Sequence, residues 1–184
     1  MNKLQIFTDG ACSGNGQKKN APGGWGAVLI YGDHKKEIYG GEISTTNNRM
    51  EIIALIQSLK QLKKDNLSAD IFSDSAYLIN CFKNKWYISW KKNGWITSSK
   101  TPVLNRELWE ELIELVGNHN LTFYKVKGHV DLSRGSSGIN TVYKKFLENN
   151  SVEISRDTFL FITEMNNRAD ELANLGMEQY KKEQ

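Results

Sequence analysis

Four acidic side chains stand where neighbouring elements of a sheet could bring them together. Asp9 ends the run LQIFTD and Asp74 ends the run ADIFSD, so each lies at the carboxyl end of a predicted strand. The carboxyl ends of parallel strands meet at one edge of a sheet, which is where open α/β folds place their sites. Glu51 lies near the start of a predicted helix between these strands, and Asp170 opens a predicted last helix. The four carboxylates could therefore converge.

Carboxylates that lie close together repel one another, so such a cluster is unfavourable unless cations hold it or some members take up protons. Oxygen ligands without an accompanying cysteine or additional histidine favour Mg²⁺ or Mn²⁺ over zinc. A divalent metal is therefore the simplest explanation of the four acids together. Taken singly, each acid is better explained as a helix cap or a solvated surface charge.

The elements that would position these acids alternate between strand and helix. Three closely spaced strands near the start of the chain predict an antiparallel meander. A broad apolar stripe from Thr46 onward predicts a helix with Thr46 or Asn47 as its N-cap. A buried strand is predicted at 69–74 and a helical stretch at 77–82. A further helix is predicted at 104–116 and another strand at 121–127. With a last helix over NRADELANLGMEQYKK, the predicted class is α/β with a mixed sheet flanked by helices.

Length and composition narrow the classes of protein. The 184 residues, 39% hydrophobic and 24% charged, fit one folded domain of ordinary size. Two distant cysteines support neither a disulfide framework nor a zinc finger. Because the chain has no apolar run of signal or membrane-spanning length, we expect a cytoplasmic protein that does not associate with membranes. We also expect a monomer. A phosphate-binding loop is disfavoured because the chain contains no Gly-Lys dipeptide.

Five motifs occur in an order that resembles a known family. FTDGACSGNG, TTNNRMEI, FSDSAY, KVKGH and NNRADELA resemble the successive signatures of type 1 ribonuclease H, and the resemblance covers residues 4–130 and 166–176. It implies the ribonuclease H-like fold, with a five-stranded mixed sheet in which three antiparallel strands are followed by parallel strands. It also implies an endonuclease that hydrolyses the RNA strand of RNA/DNA hybrids and leaves 5′-phosphate and 3′-hydroxyl ends.

The resemblance also implies roles for the residues that match the motifs. Asp9, Glu51, Asp74 and Asp170 match the family's four metal-binding carboxylates, which hold two Mg²⁺ ions with substrate, Mn²⁺ being an alternative. His129 matches a mobile loop histidine that assists proton transfer or product release. His34 and His119 carry no such match and are interpreted as surface or capping residues.

Further matches concern the substrate. Asn15, Asn47 and Asn48 match positions that lie in the minor groove, where the 2′-hydroxyl distinguishes RNA from DNA. Turn and cap chemistry also explains asparagine at these positions, and both roles can hold together. Thr46 and Asn105 match positions that hold a phosphate of the DNA strand.

A basic segment at 85–98, KWYISWKKNGWITS, resembles the basic protrusion of bacterial and animal members. It belongs to a stretch between Asp74 and Glu107 that contains six basic residues and no acidic one. Lys91 and Lys92 are expected to attract phosphates whatever the base sequence. We assign Trp86 to contact with the DNA sugar, and Trp90 and Trp95 to packing.

The chain also departs from the family pattern. Ala76, Ser44 and Asn167 stand where many members carry glutamine, arginine and glutamate, which could weaken substrate contacts or alter metal affinity. Residues 131–165 are predicted to form an insertion, because they are too long for an ordinary connection. They contain an amphipathic stretch and the strand-like SVEISRDTFLFIT. This insertion could be a lid, a partner-binding element or a neutral elaboration, and its balanced charge favours the last.

Two other classes of protein would share part of this pattern. An integrase or a Holliday-junction resolvase shares the carboxylate geometry but is not expected to carry TTNNRME, VKGH and the protrusion together. A noncatalytic module that binds hybrid or double-stranded RNA explains the basic segment but leaves four converging carboxylates unexplained.

Overall fold

The computed structural model describes residues 3–16, 20–133 and 136–181. Its strands are β1 (Leu4–Cys12), β2 (Gly23–Tyr31), β3 (His34–Glu42), β4 (Ser68–Ser73) and β5 (Asn120–Lys125). Its helices are α1 (Asn47–Leu59), α2 (Ala76–Lys83), α3 (Trp86–Lys92), α4 (Arg106–Gly117), α5 (Ser136–Asn150) and α6 (Arg156–Lys181). The predicted α/β class is confirmed.

The five strands form one mixed sheet in the order β3-β2-β1-β4-β5. β2 pairs antiparallel with both β1 and β3. β4 pairs parallel with both β1 and β5. The predicted arrangement of three antiparallel strands followed by parallel strands is confirmed.

β1 does not end at Asp9, contrary to the sequence-based prediction. Its antiparallel pairing with β2 continues to Cys12 opposite Gly23, because β2 extends far enough to accept those hydrogen bonds. What ends at this point is the parallel pairing with β4, whose last pair is Thr8 and Ser73. Asp9 and Asp74 are thus the first residues beyond that last pair, at the point where β1 and the segment after β4 no longer pair with each other.

Each face of the sheet carries its own apolar core, because successive side chains of a strand point to opposite faces. Ile6 packs with Ile52 of α1, Leu78 of α2 and Trp109 of α4. The next residue, Phe7, belongs to the opposite core, which contains side chains from β2, β4, α5 and α6. The aromatic rings of Phe7 and Phe72 stack there with their centroids 4.7 Å apart.

The region 151–165 does not contain the predicted strand. α6 begins at Arg156, and the Ser155 hydroxyl accepts a hydrogen bond of 3.1 Å from the backbone N–H of Thr158, as an N-cap does. Phe159 and Ile162, two of the aromatic and branched side chains that suggested a strand, are buried three residues apart, and Met165 continues this helical spacing. The predicted amphipathic stretch lies in α5, where Phe146 packs in the same core. Whether 131–165 is an insertion within a single domain stays a prediction.

Gly10 allows α1 to lie directly on β1. A Cβ atom at this position would lie 2.5 Å from the backbone nitrogen of Glu51, which is closer than real contacts allow. The absence of a side chain therefore sets the distance between the two elements that carry Asp9 and Glu51.

Among the described residues, no helix combines the length and the apolar character that crossing a membrane requires.

Candidate active site

Three of the four predicted carboxylates meet at the point where β1 and β4 stop pairing. Asp9, Glu51 and Asp74 each offer a carboxylate oxygen, and these atoms all lie within 4.8 Å of one another. Asp9 lies on β1, Asp74 is the residue that follows β4, and Glu51 lies near the start of α1. Asp9 and Glu51 are each only 4% exposed, so water does little to screen their mutual repulsion.

Few protein donors compensate this cluster. The backbone N–H of Gly10 donates to Asp9 Oδ1 at 2.8 Å, and Asn47 Nδ2 donates weakly to Glu51 Oε1 at 3.5 Å. Glu51 Oε2 is buried and has no hydrogen-bond partner among the described residues. A buried polar atom without a partner costs free energy, and a bound cation would supply the missing interaction. The donor set, made of carboxylate oxygens alone, fits a hard divalent metal ion.

The pKa values of these acids reflect burial first and repulsion second. Burial and the charge of Asp74 raise the pKa of Asp9 to about 8, although the Gly10 N–H opposes that shift. Burial, then the charges of Asp9 and Asp74, raises the pKa of Glu51 well above its usual range. Burial also raises the pKa of Asp74, against the opposing influence of His129 and Lys125. Without a bound cation, the cluster therefore holds protons that a free carboxylate would release.

Asp170 lies in the middle of α6 and does not open a helix, because that helix reaches back to Arg156. Its Oδ2 atom lies 3.3 Å from His129 Nδ1, and its Oδ1 atom accepts a hydrogen bond of 3.1 Å from Asn174 Nδ2. The charge of Asp170 contributes to the raised pKa of Asp9. Asp170 thus adjoins the three clustered acids and joins them to the histidine loop.

The loop that carries His129 is exposed at its tip and anchored just behind it. His129 adopts a left-handed backbone conformation with φ of 52°, and its side chain is 74% exposed. Asn167 Nδ2 donates a hydrogen bond of 2.8 Å to the carbonyl oxygen of Val130. Asn167, which departs from the family pattern, therefore holds the loop next to the carboxylates.

Three of the predicted substrate residues lie at the start of α1, and Asn105 lies just before α4. Thr46 is the N-cap of α1, where its hydroxyl accepts a hydrogen bond of 3.4 Å from Arg49 N, while Asn48 is exposed in the first turn. Asn105 Oδ1 accepts a hydrogen bond of 3.3 Å from Arg49 Nη1. The side chain of Asn15 lies outside the described residues. Sequence reasoning missed Arg49, which links Thr46 to Asn105 and whose only sequence signal is a basic residue within TTNNRME.

The basic protrusion consists of α3 and the turn after it. Trp90 and Trp95 are each 7% exposed, which confirms their assignment to packing. Trp86 is half-buried against Trp90, with ring centroids 6.3 Å apart. Lys91 and Lys92 are exposed in the last turn of α3, as phosphate contact requires.

Comparisons with known proteins agree with this fold. The family model described as RNase H matches residues 1–155. The chain is 44% identical over 180 residues to a ribonuclease H of Clostridium botulinum (strain Hall), covering 98% of this chain and 99% of that protein. It is 55% identical over 131 residues to a ribonuclease H of Acetivibrio thermocellus, covering 71% of this chain and 86% of that protein.

Solved structures show the same architecture. LC9-RNase H1, described as a type 1 RNase H with the type 2 active-site motif, superposes with a TM-score of 0.62 at 22% identity over 86% of this chain and 81% of its own. The PFV RNase H domain does so with a TM-score of 0.61 at 21% identity over 97% and 96%. LC11-RNase H1, solved in complex with RNA/DNA hybrid, has a TM-score of 0.56 at 21% identity over 96% and 98%.

The mixed sheet and its flanking helices therefore define a ribonuclease H fold. With the family match and the curated relatives, the chain belongs to the ribonuclease H family and is an endoribonuclease. The resemblance to type 1 ribonuclease H seen in the sequence motifs is confirmed.

Gly128 gives a first prediction about this site. A Cβ atom at Gly128 would lie 1.9 Å from Asp74 Oδ2, so Gly128→Ala should push that carboxylate out of the cluster. We expect hybrid turnover to fall at least about tenfold. The midpoint of thermal unfolding should change little, because the displaced atom is the end of a side chain that can rotate.

The matched control is Gly117→Ala, because a Cβ atom there meets nothing within 4 Å. Steady-state hydrolysis and thermal unfolding of both variants make the comparison. Wild-type turnover in Gly128→Ala would show that the loop backbone does not fix Asp74.

Proposed function

We propose that this protein hydrolyses the RNA strand of RNA/DNA hybrids, with Asp9, Glu51, Asp74 and Asp170 as metal ligands. The observation that carries the proposal is the buried carboxylate cluster, in which Glu51 Oε2 has no partner among the described residues. The hybrid bound by LC11-RNase H1, a protein of the same fold, supports the choice of substrate.

The carboxylate oxygens fit Mg²⁺, two ions with substrate, and Mn²⁺ is the alternative. When bound, such ions supply a more acidic attacking water and positive charge at the leaving oxygen, which yields 5′-phosphate and 3′-hydroxyl ends. The cluster contributes fixed negative charge, and Gly10 N–H keeps Asp9 oriented. His129, whose Nδ1 lies 3.3 Å from Asp170 Oδ2, would assist proton transfer at the edge of the site.

Neighbouring residues would select and orient the substrate. Asn47, Asn48 and Asn15 would read the minor groove and its 2′-hydroxyl groups. Thr46 and Asn105 would hold a phosphate of the DNA strand, and Arg49, which contacts both and is itself paired with Glu107, would fix their positions. On the protrusion, Trp86 would contact a DNA sugar while Lys91 and Lys92 attract phosphates.

A panel of substrates tests this function. Substrates of one sequence, prepared as RNA/DNA hybrid, RNA duplex, DNA duplex and single-stranded RNA, are incubated with the protein and Mg²⁺. We expect only the hybrid to be cut at a high rate, and its RNA fragments to carry 5′-phosphates that a phosphatase removes. Equal cleavage of single-stranded RNA, or products with 3′-phosphates, would contradict the proposal.

A further inference from the structure

Three adjoining hollows lie along the end of β5, between that strand and α5. The first, of about 60 Å³, opens beside His129 and shares Lys127 and Val142 with the second. The second, of about 270 Å³, shares Lys125 and Asn149 with the third, of about 250 Å³, which reaches Lys83. Together they form a groove, named here the α5 groove, that starts next to the carboxylate cluster.

The α5 groove is lined by positive charge. Lys127 and Lys145 are exposed and form no ion pair with any described residue. Lys125 Nζ donates to the backbone carbonyl of Asp74 at 3.2 Å, and Lys83 Nζ donates to Asn150 Oδ1 at 2.8 Å. Both acceptors are uncharged, although the charge of Lys125 also acts on the nearby Asp74 carboxylate.

Acidic residues are scarce in the same wall. Asp131 is the only carboxylate among the described residues that line the three hollows. The charges of residues 131–165 balance in the sequence, but the fold puts Lys145 in the groove together with lysines from β5 and α2. Charge balance along the sequence therefore does not describe this surface.

The groove wall is a fixed part of the fold. Thr141, Lys145 and Asn149 recur at intervals of four on α5 and present one face to the groove. At the end of α5, the Asn150 side chain accepts from the Lys125 backbone N–H at 2.8 Å and donates to the Lys125 carbonyl at 2.9 Å. Asn150 thus pairs with the edge strand as another strand would, and it holds α5 against β5.

We infer that the α5 groove binds the phosphodiester backbone of the cleaved RNA strand on one side of the scissile bond. This inference rests on the proposed function. His129 lies 3.3 Å from Asp170 and also lines the first hollow, so a strand whose phosphate reaches the carboxylates could continue from there into the groove. The segment that carries α5 is then part of the substrate site.

The test compares Lys127→Gln, Lys145→Gln and their double variant with the wild type. Glutamine keeps most of the length and polarity of lysine and removes its charge. Affinity for a hybrid is measured by fluorescence anisotropy in EDTA over a series of salt concentrations. We expect the double variant to bind about tenfold more weakly, and its slope of log K against log [salt] to fall by about 1.5, close to 0.7–0.9 for each lost phosphate contact.

The matched control is Lys144→Gln, an exposed lysine next in sequence to Lys145 that does not line the groove. It should keep wild-type affinity and slope, and all variants should keep the wild-type thermal midpoint. Shortening the RNA strand step by step from each end should abolish the difference between wild type and the double variant from one end only.

Two results would overturn the inference while the protein still cuts hybrid. One is wild-type affinity and salt slope in the double variant. The other is a difference that stays the same at every RNA length. Failure of the wild-type protein to cut hybrid at all would instead refute the proposed function, so the two failures are distinguishable.

Discussion

Replacing Asp74 by asparagine is expected to lower hybrid turnover about 1,000-fold, equivalent to about 4 kcal/mol in the activation barrier. Asparagine has nearly the shape of aspartate, but it lacks the charge that holds a divalent metal. Asp74 contributes to a cluster whose carboxylate oxygens lie within 4.8 Å of one another. Affinity for hybrid, measured in EDTA, should stay within about threefold of wild type, because phosphate contacts made elsewhere dominate binding.

Asp70→Asn is the matched control, since Asp70 lies on β4 at the other end of the strand and pairs there with Lys3 at 2.6 Å. Its loss removes an exposed ion pair, which is worth little, and turnover should not change. Steady-state kinetics with both variants separates the site from the strand. If Asp74→Asn retained wild-type turnover, Asp74 would not be a metal ligand.

Mg²⁺ is expected to stabilise the protein more strongly as the pH rises. Asp9, with its pKa raised to about 8 from an ordinary 3.8, keeps a proton in the folded metal-free protein that it loses on unfolding. For such a group the folded state binds more protons, so the free energy of unfolding falls as the pH rises from about 4 to about 8. Glu51 and Asp74 shift in the same direction.

A divalent cation replaces those protons and relieves the repulsion. With Mg²⁺ at about 100 times its dissociation constant, the gain of about 2.7 kcal/mol should raise the thermal midpoint at pH 8 by about 5–10 °C. At pH 6 protons compete with the metal, and the rise should be much smaller. The measurement is thermal unfolding with Mg²⁺ and with EDTA at pH 6, 7, 8 and 9.

The control variants for this experiment are Glu51→Gln and Asp70→Asn. Glu51→Gln should raise the midpoint in EDTA at pH 8, because it removes a buried acid that can ionise only against burial and the charges of Asp9 and Asp74, and should reduce the response to Mg²⁺. Asp70→Asn should respond as the wild type does. A rise in midpoint that is the same at every pH, or one that Glu51→Gln leaves intact, would show that the metal binds elsewhere.

Much of the fold could be predicted because the signals are local. Alternation in the strands and the capped apolar stripe of α1 carry their own periodicity, and the structure confirms these elements. The start of α6 was missed because its first turns are rich in Phe, Ile and Thr, residues with β propensity, whereas packing against Phe7 and Phe72 selects the helix. Local propensity yields there to tertiary contacts.

Site residues could be predicted where the residue type itself implies a chemical role. They could not be predicted where a residue matters only through a contact with a part of the chain that is distant in sequence. The acids could be predicted because several carboxylates that converge on one place have few explanations other than a bound cation. Gly128 and Asn150 carry no such signal: one matters because a side chain would meet Asp74, the other because it meets the backbone of Lys125. The roles proposed for the carboxylates, for His129 and for the substrate residues stay predictions.

Whether this carboxylate cluster cuts the RNA strand of a hybrid can be tested by following both strands at once. A hybrid with a different fluorophore on each strand is mixed with excess protein, with Mg²⁺ or with EDTA, and both strands are resolved over time. We expect the RNA strand to be cut with Mg²⁺, to stay intact with EDTA or with Asp74→Asn, and the DNA strand to stay intact throughout. Cleavage of the DNA strand, or RNA cleavage that persists in EDTA and in Asp74→Asn, would contradict this expectation.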